Sequence, residues 1–175
     1  TPIHSSAASD VYKRQVVKYR PFLIKEEKVL LMAVESRDEA EMNNALINIV
    51  QSCTLSKIDV TKLPVYDFEY LWLNIRGKSV GEQIDLKLKC PDDEKVSVDY
   101  SLKIEDVKPD LNKKFERKIE FEKDYGVIMK VPTIKHISNK KTLLDLSYGL
   151  VRDCIGQIYN GDEVFEAADL SAKEL

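Results

Sequence analysis

Histidine is scarce: the 175 residues hold two, His4 and His136. Nucleophilic catalysis needs a base within reach of its nucleophile, and histidine is the usual one. His4 falls in a polar leader, and His136 stands between Lys135 and Ile137 with no partner signalled by spacing. It reads as a solvated turn residue, not a catalytic one. Cysteine is sparse too. Cys53, Cys90 and Cys154 are odd in number and far apart, which suits reduced thiols in a cytosol better than a disulfide framework. Gly77, Gly81 and Gly126 fall in no dinucleotide or P-loop spacing. No apolar run approaches the ~20 residues that span a bilayer, and the first residues lack the apolar centre of a signal peptide. Positive charge is not in excess: 27 Lys and Arg against 30 Asp and Glu give −3, which argues against a basic nucleic-acid surface.

What remains fits a soluble globular protein, 43% hydrophobic and 33% charged, long enough for one ordinary domain. Residues 1–15 begin without methionine and continue as a polar string with no periodicity, so they read as a non-native or disordered leader. Residues 16–175 read as a single α+β domain. Ser171-Ala-Lys-Glu174 is a capping-box signature with no helix after it, so the domain is expected to be truncated at the C-terminus.

Pro21 predicts a helix from about Phe22, with Leu23, Leu30 and Val34 on an inward stripe beside Phe22, Val29 and Ala33. Lys25, Glu26, Glu27 and Lys28 would form its wet turn. Asp38 caps a second helix from about Glu39, along which Met42, Ala45, Leu46, Ile49, Val50 and Cys53 recur at helical spacing. Asp67 is placed as N-cap of a third, carrying Phe68, Leu71, Trp72 and Ile75.

From Gly81 the period becomes two. Ile84, Leu86, Leu88 and Cys90 describe a half-buried strand, Pro91-Asp-Asp-Glu94 a turn, and Val96, Val98 and Tyr100 the return strand. Phe115, Ile119 and Phe121 share a second strand face, Asp124-Tyr-Gly126 turns the chain, and Val127, Met129 and Val131 return it. Thr133 can cap a short turn, and Thr142 a helix with Leu143, Leu146, Leu150 and Cys154 inward. Ile155 to Phe165 reads as a hairpin on a type I′ Asn160-Gly161 turn. The expected class is therefore α+β: an N-terminal helical portion, then antiparallel β-hairpins, then a smaller mixed α/β end.

Chemistry-bearing candidates are few. Cys90-Pro-Asp-Asp93 occupies a hairpin tip where a zinc ribbon would place a Cys-x-x-Cys knuckle, but position 93 is aspartate and no second cysteine pair follows. Cys90 is also in phase with the apolar strand face, so burial accounts for it. Glu26-Glu27 and Asp92-Asp93 could bind Mg²⁺ in principle, yet solvated faces are the default. Lys113-Lys114 and Arg117-Lys118 make a basic run diluted by Glu116, Glu120 and Glu122, without aromatic interleaving. Arg20, Lys25, Arg76 and Lys78 flank the helices and are candidate interface charges. No catalytic, cofactor-binding or metal residue is assigned.

Three segments carry a family resemblance. They are Tyr19-Arg-Pro-Phe-Leu-Ile-Lys-Glu-Glu-Lys-Val-Leu-Leu-Met-Ala33; Asp59-Val-Thr-Lys-Leu-Pro64 with Asp67-Phe-Glu-Tyr-Leu-Trp-Leu-Asn-Ile-Arg-Gly-Lys-Ser-Val-Gly-Glu82; and Lys130-Val-Pro-Thr-Ile134. In order and spacing they resemble the baseplate hub subunit and tail-assembly family of T-even-like contractile-tail bacteriophages. The resemblance implies a non-enzymatic protein that builds the hub by binding other hub or tape-measure proteins, in the host bacterial cytoplasm and then in the tail baseplate. It implies no cofactor, nucleic acid or membrane. The alternative from a different class is a zinc-dependent nucleic-acid-binding adaptor built around the Cys90 hairpin.

Overall fold

The computed structural model describes residues 2–4, 16–93, 95–108, 116–138 and 145–170. They divide into two compact units: residues up to Val60 with those from Tyr66 to 108, and Thr61–Val65 with those from 116 onward.

In the first unit, β1 (Pro2–His4) runs antiparallel to β2 (Val16–Lys18). The chain then lies along the end of the second helix, with Arg20 N–H bonded to Cys53 O at 2.9 Å and Leu55 N–H to Lys18 O at 2.8 Å. Helix α1 (Ile24–Ser36) begins two residues later than Pro21 suggested, because Leu23 takes an extended N-cap conformation. Arg37, at φ 56°, ends it in the left-handed region. Asp38 then caps α2 (Glu39–Cys53), its Oδ1 accepting from the amides of Ala40 and Glu41 at 2.7 and 3.1 Å. Ala45, Ile49, Val50 and Cys53 are buried along one face of α2, as their spacing required.

The stripe of α1 differs from expectation. Leu23, Val29 and Val34 are about half exposed, and the buried residues are Ala33 and Glu26. Glu26, assigned to a wet turn, faces inward because its carboxylate is occupied there by a guanidinium and a backbone amide. Helix α3 (Val65–Val80) buries Phe68, Leu71 and Ile75, while Trp72 is half-buried and stacks on Phe22 with centroids 6.0 Å apart. It begins before Asp67, which is a buried first-turn residue and not the cap. Strands β3 (Gln83–Lys89) and β4 (Ser97–Lys103) close the unit as an antiparallel two-stranded ribbon.

In the second unit, β5 (Lys118–Glu122), β6 (Tyr125–Met129), β7 (Ile155–Asn160) and β8 (Glu163–Glu166) form one antiparallel sheet in chain order. The last hairpin therefore extends the sheet of the preceding one. Between β6 and β7 lie α4 (Ile134–Ser138), a wide helical turn at Asp145–Gly149, and α5 (Leu150–Asp153). Thr61–Val65 is tied to this unit by Val65 N–H to Pro132 O at 3.1 Å and Ile134 N–H to Leu63 O at 3.2 Å. The first of these bonds occupies the amide of Val65, the first residue of α3.

Two turns are shifted from their expected positions. The β5–β6 turn is Lys123-Asp124, with Asp124 at φ 63°, while Tyr125 and Gly126 already belong to β6. Asn160 pairs with Glu163, so the last turn is Gly161-Asp162. Only Gly161 has positive φ there, as a type II′ turn requires at its first central position. The expectations at Phe115, Thr142 and Leu143, the leader at 5–15, and the capping signature at 171–174 lie outside the described residues.

A candidate interaction surface

Seven residues of β3 face seven of β4, from Gln83 opposite Lys103 to Lys89 opposite Ser97. Because side chains alternate, Ile84, Leu86 and Leu88 share one face with their partners Leu102, Tyr100 and Val98. Asp85, Lys87 and Lys89 stand on the other face opposite Ser101, Asp99 and Ser97. The alternation read from sequence is thus correct, but the burial inferred from it is not. Leu86, Leu88, Tyr100 and Val98 are 38, 49, 51 and 62% exposed. A ribbon of two strands has no second layer of its own, and such hairpins are at best marginally stable in isolation.

The ribbon is anchored at its root. Ile104 is buried just beyond β4, and its N–H bonds Glu82 O at 2.9 Å. Its Cδ1 lies 2.8 Å from where a Cβ on Gly77 would stand, so the absent side chain lets Ile104 seat directly on α3. At the tip, Asp93 Oδ1 accepts from Lys95 N–H at 3.0 Å and Asp93 O from Val96 N–H at 3.0 Å. The second aspartate is therefore engaged in making the turn.

The remaining candidates resolve into structural roles. Arg20 and Glu26 form a two-pronged ion pair, Nη1 to Oε2 at 2.9 Å and Nη2 to Oε1 at 2.6 Å. Oε2 also accepts the Leu23 amide at 2.7 Å, half of a capping box, and Arg20 Nη2 reaches Ser52 O at 3.1 Å. This clamp ties the start of α1 to the end of α2. The Arg20 guanidinium beside it, opposed by burial and helped by the Leu23 amide, holds the Glu26 carboxyl down at about 2. Sequence reading missed the clamp, although glutamate three residues after an N-cap was its visible signal.

Cys53 is fully buried with Sγ 3.8 Å from Glu26 Oε2, and burial together with that negative charge pushes its thiol up to about 11. Cys154 is buried and Cys90 half-buried, a free thiol at the ribbon tip and not the buried one expected. Iodoacetamide should accordingly modify Cys90 well before the other two; peptide mass spectrometry under native conditions reads the order.

His136 is half-buried, and its Nδ1 accepts the Thr133 amide at 3.2 Å, so the ring closes the first turn of α4. Lys78 pairs with Glu82 one helical turn on. Lys118 pairs with Glu120 at 3.4 Å and lies 4.5 Å over the Tyr159 ring, a placement that makes this lysine part of the sheet. Lys25 is exposed, Arg76 is half-buried with Nη1 unbonded among the described residues, and Lys113-Lys114 lies outside them. Among the described residues no group of three or more His, Cys, Asp or Glu is placed to hold a metal ion, and no helix is long and apolar enough to cross a membrane. A shallow open depression crosses the ribbon between Asp85–Lys87 and Asp99–Ser101, where the Ser101 hydroxyl donates to the Asp85 carboxylate and Lys87 stands opposite Asp99.

Large apolar side chains exposed together on one face of an anchored ribbon are suited to docking. No curated protein and no solved structure matches the chain. The family model described as T4 bacteriophage base plate protein matches residues 6–175, nearly the whole length. The chain therefore belongs to the family of T4 bacteriophage base plate proteins, structural components of phage baseplates.

Proposed function

We propose that this baseplate protein is a non-enzymatic assembly factor of the central hub, working by protein–protein binding through the apolar face of the β3–β4 ribbon. The observation that carries the reading is that face: six large apolar side chains in register, with Leu86, Leu88, Tyr100 and Val98 standing 38–62% exposed, in a chain of baseplate family. Folding alone leaves this surface in water, at ~25 cal/mol per Å² of apolar area, so a partner that covers it recovers that free energy. Membership of the family supports partners among other phage baseplate proteins, and the partners proposed are hub or tape-measure proteins. Binding begins in the host cytoplasm during tail construction and ends in the virion baseplate.

Co-expression with adjacent hub proteins, followed by pull-down, tests this. The wild-type chain is expected to bring down at least one of them. Leu86→Asp combined with Val98→Asp should reduce capture about tenfold or more, with the circular dichroism of the free protein unchanged. Failure to capture any hub protein, or capture indifferent to both substitutions, would overturn the proposal.

A further inference from the structure

Helix α1 is apolar on its outside as well as within. Opposite the inward Ala33, Ile24 and Leu31 are 86 and 57% exposed, and Met32 on the flank is 59% exposed. At 3.6 residues per turn, Ile24, Lys28, Leu31 and Glu35 share one narrow sector, with Met32 on its border. The outer face is thus an apolar strip with a cation towards its N-terminal half and a carboxylate two turns on. Neither Lys28 nor Glu35 has an ion-pair partner among the described residues. Large apolar side chains exposed together in this way mark an interaction site.

We propose that this face binds the same face of a second copy, the two α1 helices crossing antiparallel about a two-fold axis between Leu31 and Met32. The charges select this occupant. Lys28 and Glu35 lie equally far from that axis along the helix, so the rotation sets each lysine beside the other copy's glutamate, twice. A parallel pairing would set like charges together, and a partner of one sign would repel one of the two. Area agrees: the exposed parts of Ile24, Leu31 and Met32, with the Lys28 stem, amount to roughly 400–500 Å² per copy. Two copies then bury on the order of 1,000 Å², the lower edge of specific interfaces, which fits a reversible dimer. This surface is independent of the ribbon and of the hub reading.

Sedimentation equilibrium on the full chain tests the proposal. The protein is expected to pass from monomer to dimer across the micromolar range, and Leu31→Lys to remain monomeric. Lys28→Glu alone and Glu35→Lys alone should each weaken the dimer about tenfold, since each breaks two symmetric pairs and creates repulsion. The combined Lys28→Glu, Glu35→Lys protein should regain wild-type affinity. All three positions are exposed, and circular dichroism confirms that each variant is folded. A wild-type chain that stays monomeric, a dimer indifferent to Leu31→Lys or to the single swaps, or a double swap without recovery would overturn it; the last would assign the dimer to another geometry.

Discussion

Gly126→Ala should destabilise the second unit by about 3 kcal/mol, and Gly126→Val should leave its sheet unfolded at room temperature. A Cβ at this position would fall inside 3.0 Å of the Ile119 carbonyl oxygen on β5 and of the Tyr159 phenol on β7. The carbonyl belongs to the β5 backbone, so moving it disrupts the ladder. The phenol is part of a buried side chain, 7% exposed, which fills the space above the glycine and carries Lys118 over its ring. Displacing Tyr159 forfeits that burial, worth ~2 kcal/mol or more, and leaves β6 without its cover. Gly161→Ala provides the contrast: nothing lies within 4 Å of its missing Cβ, and only the φ of 60° is strained. It should cost about 1 kcal/mol. Urea midpoints for the three variants check the order, and equal shifts for Gly126→Ala and Gly161→Ala would contradict the packing explanation.

Glu26→Ala carries the other large effect, an expected loss of about 2–3 kcal/mol from the helical unit. The substitution leaves the Arg20 guanidinium without its carboxylate and returns the Leu23 amide to an uncapped helix start. It also fixes a pH dependence. Glu26 titrates at about 2 in the folded protein against an ordinary 4.5, so folding favours its charged form. The resulting stability is fully present above about pH 4.5 and is lost as pH falls from there towards 2. At ~1.4 kcal/mol per unit the shift corresponds to ~3 kcal/mol at most. Solvent screening around the Arg20 side chain, 30% exposed, lowers this to about 1–2 kcal/mol. Denaturant midpoints measured across that window should fall more steeply for wild type than for Glu26→Gln. Parallel slopes would remove Glu26 from the acid response.

The helices were legible because their signals are local. Asp38 announces α2 in sequence and caps it in space, and the Ala45, Ile49, Cys53 spacing buries as written. Pairing of β3 with β4 was equally visible, since alternation and a Pro-Asp-Asp turn are also local. Burial was not legible. Alternation says which side chains share a face but not whether a second layer exists to cover them, and Leu88 and Val98 stand in water although patterned for a core. The converse error occurred at Glu26. A charged residue in a charged run is placed outside by default, and only the three-dimensional approach of Arg20 and Leu23 to one carboxylate draws it in. Turn positions slipped by a residue at Asp124 and Gly161 because which residue takes positive φ depends on strand register, set by the neighbouring strands. The candidate site was thus half readable: its residues from the alternation, its availability only from the fold.

Hydrogen exchange on the chain alone and in complex with a co-expressed hub protein tests the central claim most directly. If the ribbon is the docking element, amides in Gln83–Lys89 and Ser97–Lys103 exchange quickly in the free protein and slow by at least tenfold in the complex. A stable complex in which those two strands exchange as fast as before, with protection elsewhere, would show that the hub partner binds another surface.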